Sequence, residues 1–184
     1  KYLSNPRHAA VVKAVAEKAN WKPRTSPSKD GKGRGLAFAE RNGTSVAAVA
    51  EVEVDRATGR VWARRFFIAH DCGLIINPMG LRQTIEGNVV QGTSRTLFEE
   101  VRFDRDSVKS VDWASYPILE MPDAPESIEI VLIDRPDVAP SGAGEPSIRV
   151  IPSALANAVY DATGVRMRKA PLSPERVKAA LGAS

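Results

Sequence analysis

Along the first twenty residues apolar side chains recur at helical spacing. Ala9, Val12, Val15, Ala16 and Ala19 follow an Asn5-Pro6 start, in which asparagine suits the cap and proline the first helical position. The pattern predicts an amphipathic helix over 6–20. Residues 21–34, WKPRTSPSKDGKGR, have the composition of a linker and predict a mobile loop. The period then changes to two. Runs at 35–41, 44–55 and 60–70 are separated by Asn42-Gly43 and by Ala57-Thr58-Gly59. Asn-Gly between extended runs is a strong hairpin signal, because both positions of a type I′ turn need positive φ, so an antiparallel meander is expected. In its second strand Val46, Ala48, Ala50, Val52 and Val54 share one face, while Glu51, Glu53 and Asp55 fall on the other. One side of the sheet is therefore wet at that end, and the other needs a cover.

Asn77-Pro78 repeats the cap-then-proline start, and Leu81, Ile85, Val89, Leu97, Phe98 and Val101 make a buried stripe along a helix at 78–101. Gly87 and Gly92 interrupt it. An interior glycine costs roughly 1 kcal/mol relative to alanine, so two in one helix point to a close neighbour, either a packed strand or a ligand. A short extended piece at 101–103 leads into the polar turn DRDS, and SIEIVLI at 127–133 reads as a buried strand. A long connection, 134–146, precedes a helix carrying Ile148, Ile151, Leu155, Val159 and Ala162, which stops at Gly164. Pro152 inside it should kink or split the first turn. Ser173-Pro174-Glu175 opens a last short helix to about Leu181. The fold class expected is α+β, a largely antiparallel sheet with helices packed on one face, with 1–184 as a single domain or domain fragment.

Composition narrows the classes. A chain of 184 residues, 43% apolar and 26% charged, is ordinary for a globular domain and buries about 70% of its unfolded surface. No window approaches the roughly 18 apolar residues of a membrane span, and residues 1–30 lack a signal-peptide pattern. The chain opens on Lys1, and its helical pattern starts within five residues, so a piece of a longer polypeptide is expected. The formal charge of +4 is not gathered into a stripe: Lys22, Arg24, Lys29, Lys32 and Arg34 crowd the loop, while Arg56, Arg60, Arg64 and Arg65 flank a turn. With no aromatic platform beside them, they read as a solvated surface rather than a nucleic-acid site.

Cys72 is the single cysteine, and His8 and His70 are the only histidines, which leaves no disulfide, no iron-sulfur cluster held by this chain and no Cys/His zinc site. His70-Asp71-Cys72 is read as structural, since neighbours on a strand point to opposite faces. DRDSVKSVDWAS, 104–115, starts like a calcium loop, but Lys109 stands where the turn wants glycine and Ser115 where a glutamate belongs. Ser141 lacks the context of a nucleophile elbow. The best candidate is Glu145, between the Gly142-Ala143-Gly144 segment and Pro146. It is placed either to cap a helix or to act as a general base, which needs partial desolvation to bring its pKa toward neutrality.

GAGEPSIRVIPSALANAVYDATG at 142–164, IEGNVVQGTSRTLFEE at 85–100 and HDCGLIINP at 70–78 resemble, in this order, the C-terminal part of the large subunit of molybdenum hydroxylases, the xanthine dehydrogenase and aldehyde oxidase enzymes. The opening NPRHAAVVKAVAEKANW is most similar to the bacterial isoquinoline oxidoreductase beta-subunit branch. The resemblance implies that Glu145 is the general base beside a molybdenum-molybdopterin cofactor, in its cytosine dinucleotide form, and acts on a water-derived hydroxyl that attacks an aldehyde or N-heteroaromatic carbon. It implies that Gly142, Ala143 and Gly144 stay small so that backbone approaches cofactor and substrate. The family also places a glutamine before its Glu-Gly pair, near the cofactor. By register with Glu86 and Gly87 that position is Thr84, whereas the glutamine here is Gln83, so either of the two meets the cofactor; Gln91 is a further polar residue on that helix. The remainder of the large subunit and a small subunit holding the iron-sulfur clusters are implied as partners. The rival expectation is a truncated, non-catalytic module that keeps the fold and binds a partner chain.

Overall fold

A computed structural model describes residues 3–28 and 30–182, so the expectations resting on Lys1 and Lys29 lie outside the described residues. Helix α1 runs Pro6–Lys18, with the Asn5 side chain accepting from the Arg7 amide at 2.9 Å. Strands β1 (Lys32–Arg41), β2 (Thr44–Val54) and β3 (Val61–Asp71) form the expected antiparallel meander. Asn42 and Gly43 at the first hairpin both have positive φ, 49° and 87°. Helix α2 follows at Pro78–Leu97, then β4 at Ser127–Leu132, a 3₁₀ turn at Pro146–Val150, α3 at Ile151–Thr163 and α4 at Pro174–Gly182. The sheet order is β1-β2-β3-β4, and β4 pairs parallel to β3, which requires the crossover that α2 begins.

Strand β1 starts three residues inside the segment expected to be a loop. The physical reason is close packing of α3: a Cβ on Gly33 would meet the Ala158 carbonyl oxygen at 1.8 Å, and one on Gly35 the Ala154 carbonyl oxygen at 2.1 Å. Gly33 reads as linker composition, yet it and Gly35 let a helix backbone lie against a strand. The preceding segment is tied to α3 as well, since Arg24 and Ser26 both donate to the Asp161 carboxylate.

The larger core lies between the Val46, Ala48, Ala50 and Val52 face and α2, α3 and α4, through Leu81, Ile85, Val89, Ile151, Leu155 and Val177. The opposite face carries α1, whose Val11, Val15 and Ala19 cover Ala47, Val49, Phe67 and Ala69. Helices thus lie on both faces, which corrects the expectation of packing on one. The end beyond α1 stays wet as expected: Glu51 pairs with Arg34 at 3.1 Å and Glu53 with Arg64 at 2.9 Å. Covered faces on both sides also explain the apolar run 130–133 at the end of β4, where Ile128, Ile130 and Leu132 join one core and Val131 and Ile133 the other. As an edge strand β4 is half-buried, not buried.

Helix α2 ends four residues sooner than its apolar stripe, leaving Phe98 half-buried and Val101 exposed. Pro152 splits the following helix as expected, so the turn after Glu145 is 3₁₀ and α3 begins at Ile151. Gly164, at φ 81°, terminates α3.

Candidate functional site

The end of the sheet where β3 stops gathers the chain's chemistry. Alternation along β3 sends His70 and Asp71 to opposite faces, as expected from the sequence. Asp71 points toward α1 and is fully buried. It accepts from Arg7 Nη2 at 2.5 Å, from Arg135 Nε at 2.5 Å and from the Gly73 amide at 3.1 Å. Burial alone would push its carboxyl up; the bonds from Arg7, Arg135 and Gly73 outweigh that and hold it below the usual carboxylate range. This triad fastens α1 and the 134–145 connection to the strand end. His70, cross-strand from Val46, sits in the larger core with no hydrogen-bond partner for either ring nitrogen among the described residues. Burial depresses its pKa to about 4, so it is neutral. Burial, then the Asp71 charge, raise the Cys72 thiol, which makes it an inert core residue.

The connection returns over this end of the sheet. Ser141 donates its amide to the Cys72 carbonyl at 2.8 Å, and its Oγ lies 2.6 Å from the buried Thr44 Oγ1. Thr44 Oγ1 is also 2.8 Å from the Gly142 carbonyl. Two residues on, Asn88 Nδ2 of α2 donates to the Gly144 carbonyl at 2.8 Å. The Gly142-Ala143-Gly144 segment is therefore held at both ends. Neither glycine is in the left-handed region, and a Cβ added at either would meet nothing within 4 Å. No packing within the described residues demands glycine there; the room beside the segment is open.

Glu145 occupies the cap position of the 3₁₀ turn, but its side chain makes no capping hydrogen bond. Of the two roles open from the sequence, capping is not the one this geometry displays. The carboxylate is exposed and borders a shallow cleft of about 230 Å³ with Arg41, Asn42, Gly142, Gly144 and Pro146. A second cleft, about 240 Å³, lies beside it and is mainly apolar: Cys72, Leu74, Ile75, Ile76, Leu81, Pro140 and Ala143 line it, with Thr84 and Gly144. Thr84 is half-buried there and donates to the Gly80 carbonyl at 2.9 Å. Gln83, exposed on α2, lines neither cleft, and Gln91 is exposed too. Gly87, three residues after Thr84, likewise faces open space, whereas a Cβ on Gly92 would meet Ile151 Cβ at 2.8 Å. One interrupting glycine answers to packing and the other does not.

The structure thus brings Glu145, Gly142, Ala143, Gly144 and Thr84 together and leaves Gln83 apart. Sequence reasoning missed Asn88 and Thr44, which hold the segment's carbonyls. The signal for Asn88 was its place one turn after Thr84, on the same helical face. The remaining candidates stay structural. Asp104 accepts from the Asp106 and Ser107 amides and from Lys109 at 2.7 Å within a surface turn. Among the described residues no group of three or more His, Cys, Asp or Glu side chains could hold a metal ion. No helix among them is long and apolar enough to cross a membrane.

Comparison with known proteins shows the family and the fold. The family model described as molybdopterin cofactor-binding domain matches residues 6–125. A nicotinate dehydrogenase subunit of Pseudomonas putida is 44% identical over 99% of this chain and 16% of its own length. The beta subunit of isoquinoline 1-oxidoreductase from Brevundimonas diminuta is 32% identical over 93% of this chain and 22% of its own. In solved structures, quinoline 2-oxidoreductase from Pseudomonas putida 86 superposes with a TM-score of 0.70 at 31% identity, over 76% of this chain and 19% of that one. The chain spans 16% to 22% of the length of these two curated relatives.

Proposed function

The chain belongs to the molybdopterin cofactor-binding domain family, and on that footing we propose that it is the base-bearing part of a molybdenum-dependent hydroxylase that oxidises an aldehyde or N-heteroaromatic compound with water as the oxygen source. The observation that carries this reading is Glu145: a carboxylate at the start of a 3₁₀ turn, free of any capping bond, on a segment whose carbonyls are held from behind.

The residues present fit a bulky group on that side. Gly87, Gly142 and Gly144 all border open room that the described residues do not fill. A molybdenum-molybdopterin group, when bound, supplies the two-electron acceptor for the substrate carbon. This chain's residues do the rest. Glu145 takes the proton of the attacking water-derived hydroxyl. Gly142, Ala143 and Gly144 allow backbone to approach, and Thr84, which shares a cleft wall with Ala143 and Gly144, is the residue of its pair turned to the cofactor rather than Gln83. A base with an exposed carboxylate needs cover to raise its pKa, and the remainder of the large subunit supplies it. We assign the cofactor the cytosine dinucleotide form, and the iron-sulfur clusters that carry electrons away to a separate small subunit. The nicotinate and isoquinoline names of the relatives favour an N-heteroaromatic substrate.

The test is turnover of the purified enzyme in oxygen-18-labelled water, with nicotinate, quinoline and benzaldehyde as trial substrates and molybdenum measured on the same sample. Label in the product, in a preparation holding about one molybdenum per large subunit, is the expected result. Label arriving from dioxygen instead, or full turnover in metal-free enzyme, overturns the reading.

A further inference from the structure

Asn88 stands in the middle of α2, where a polar side chain with 8% exposure calls for a partner. Its partner is the Gly144 carbonyl, at 2.8 Å. That carbonyl and the Glu145 N–H belong to one planar peptide unit, so a bond that fixes the first fixes the second. In a trans unit the two groups point in opposite directions. Drawing the Gly144 oxygen toward α2 therefore turns the Glu145 N–H away from it and sets the direction in which the Glu145 side chain leaves the backbone. On its far side Glu145 is held only through its own carbonyl, which accepts from the Ile148 amide at 3.2 Å, and by the buried Pro146 that follows. A Cβ at Gly144 would touch nothing within 4 Å, and the Glu145 carboxylate has no hydrogen bond or ion pair among the described residues.

We propose that Asn88 is the positioning residue for Glu145, an inference that rests on the reading of Glu145 as general base. A primary amide suits this role, because it donates to the carbonyl, is short enough to stay buried and carries no charge. Aspartate at the same place would set an acceptor against an acceptor. Leucine would match its volume without a donor and leave the Gly144 carbonyl without its anchor on α2. The anchor on the far side, Thr44 on Gly142, restrains the segment before Ala143 and leaves the Glu145 peptide to Asn88.

The test uses the cofactor-loaded enzyme with Asn88→Leu, Asn88→Asp and Asn88→Gln, and Asn88→Ala as a smaller variant should Asn88→Leu lose metal. Kinetics are taken per molybdenum atom, and amide hydrogen exchange of the peptide over 142–150 is followed by mass spectrometry. We expect kcat to fall by about 10- to 100-fold in the Leu and Asp variants, the loss typical of a misplaced catalytic group, with KM changed by less than about threefold. Exchange in that peptide speeds up by at least about tenfold as its carbonyl anchor is lost. Asn88→Gln recovers part of both. Wild-type kcat in Asn88→Leu or Asn88→Ala overturns the proposal, as does a fall in kcat with unchanged exchange. Normal Asn88 variants beside an inactive Glu145→Gln would remove the positioning role alone; an active Glu145→Gln would remove the base assignment and, with it, the purpose given to Asn88.

Discussion

Glu145 stands on a segment whose glycines differ in kind from those elsewhere in the chain. Gly33 and Gly35 are dictated from within, by α3 backbone close enough to collide with any Cβ, whereas Gly142 and Gly144 border empty space. Sequence reading put Gly33 in a linker and Gly35 at the start of a strand, with no helix expected against either. A glycine codon records that something is close without recording what, so only the fold separates backbone from open room. Asn88 was hidden for a similar reason, because a polar residue in a helix is ordinarily solvated. His70 was correctly read as structural, and its surroundings make a further prediction. Its folded pKa of about 4 lies below the 6.5 of an unperturbed imidazole, so between those values the unfolded chain binds the proton more tightly. Its contribution is intact above about pH 6.5 and is lost as pH falls toward 4, by roughly 3 kcal/mol in all. In urea unfolding from about pH 7 to about pH 4.5, the wild-type chain should lose roughly 2–3 kcal/mol more than His70→Leu does. Parallel pH profiles would count against a buried neutral imidazole.

Helix α2 shows what periodicity conveys and where it stops. Its apolar positions placed Leu81, Ile85, Val89 and Leu97 in the core, where they are. The stripe also ran on to Val101, yet the helix stops at Leu97 and Val101 is exposed, because apolar spacing does not encode a stop signal. The two glycines give opposite predictions. Gly92→Ala forces a Cβ to 2.8 Å from Ile151 Cβ, so it should lower stability by about 1–3 kcal/mol despite alanine's better helix propensity. Gly87→Ala meets nothing within 4 Å among the described residues beyond its own helix and should raise it by up to about 1 kcal/mol. Thermal unfolding of the two variants side by side checks both; equal shifts would contradict the packing described. The three meander strands were legible from Asn42-Gly43 and alternation, whereas α1 on the second face was not. Ala47 and Val49 interrupt the alternation on the face of Glu51 and Glu53, and what covers them is seen only when Val11 and Val15 lie against them.

Across the whole molecule the described surface is not uniformly polar. Val101, Phe103, Val108, Val111, Trp113, Ile118 and Met121 are all exposed on the irregular stretch after α2, with Trp113 at 79% and Met121 at 86%. Side chains so open contribute little to this chain's own stability, so Trp113→Ser and Met121→Ser should each change it by no more than about 0.5 kcal/mol in thermal unfolding. A larger loss would mean that they pack within the fold. The candidate site is open in the same way: Glu145, the backbone beside it and the anchors of that backbone are here, and on the proposed reading the cover that would desolvate a base is left to the rest of a large subunit. The α+β class was readable from local pattern, and Glu145 was singled out from motif; the walls around it were not, because they depend on contacts between residues such as Thr44 and Gly142, 98 positions apart.

The most direct measurement is anaerobic single-turnover reduction of cofactor-loaded Glu145→Gln enzyme by substrate, with molybdenum content determined on the same preparation. Wild-type metal content is expected, with a rate of cofactor reduction lower by at least about 10²- to 10⁴-fold, as loss of a general base requires. Reduction at the wild-type rate, with the metal in place, would show that the proton leaves by another route and would contradict the assignment of Glu145.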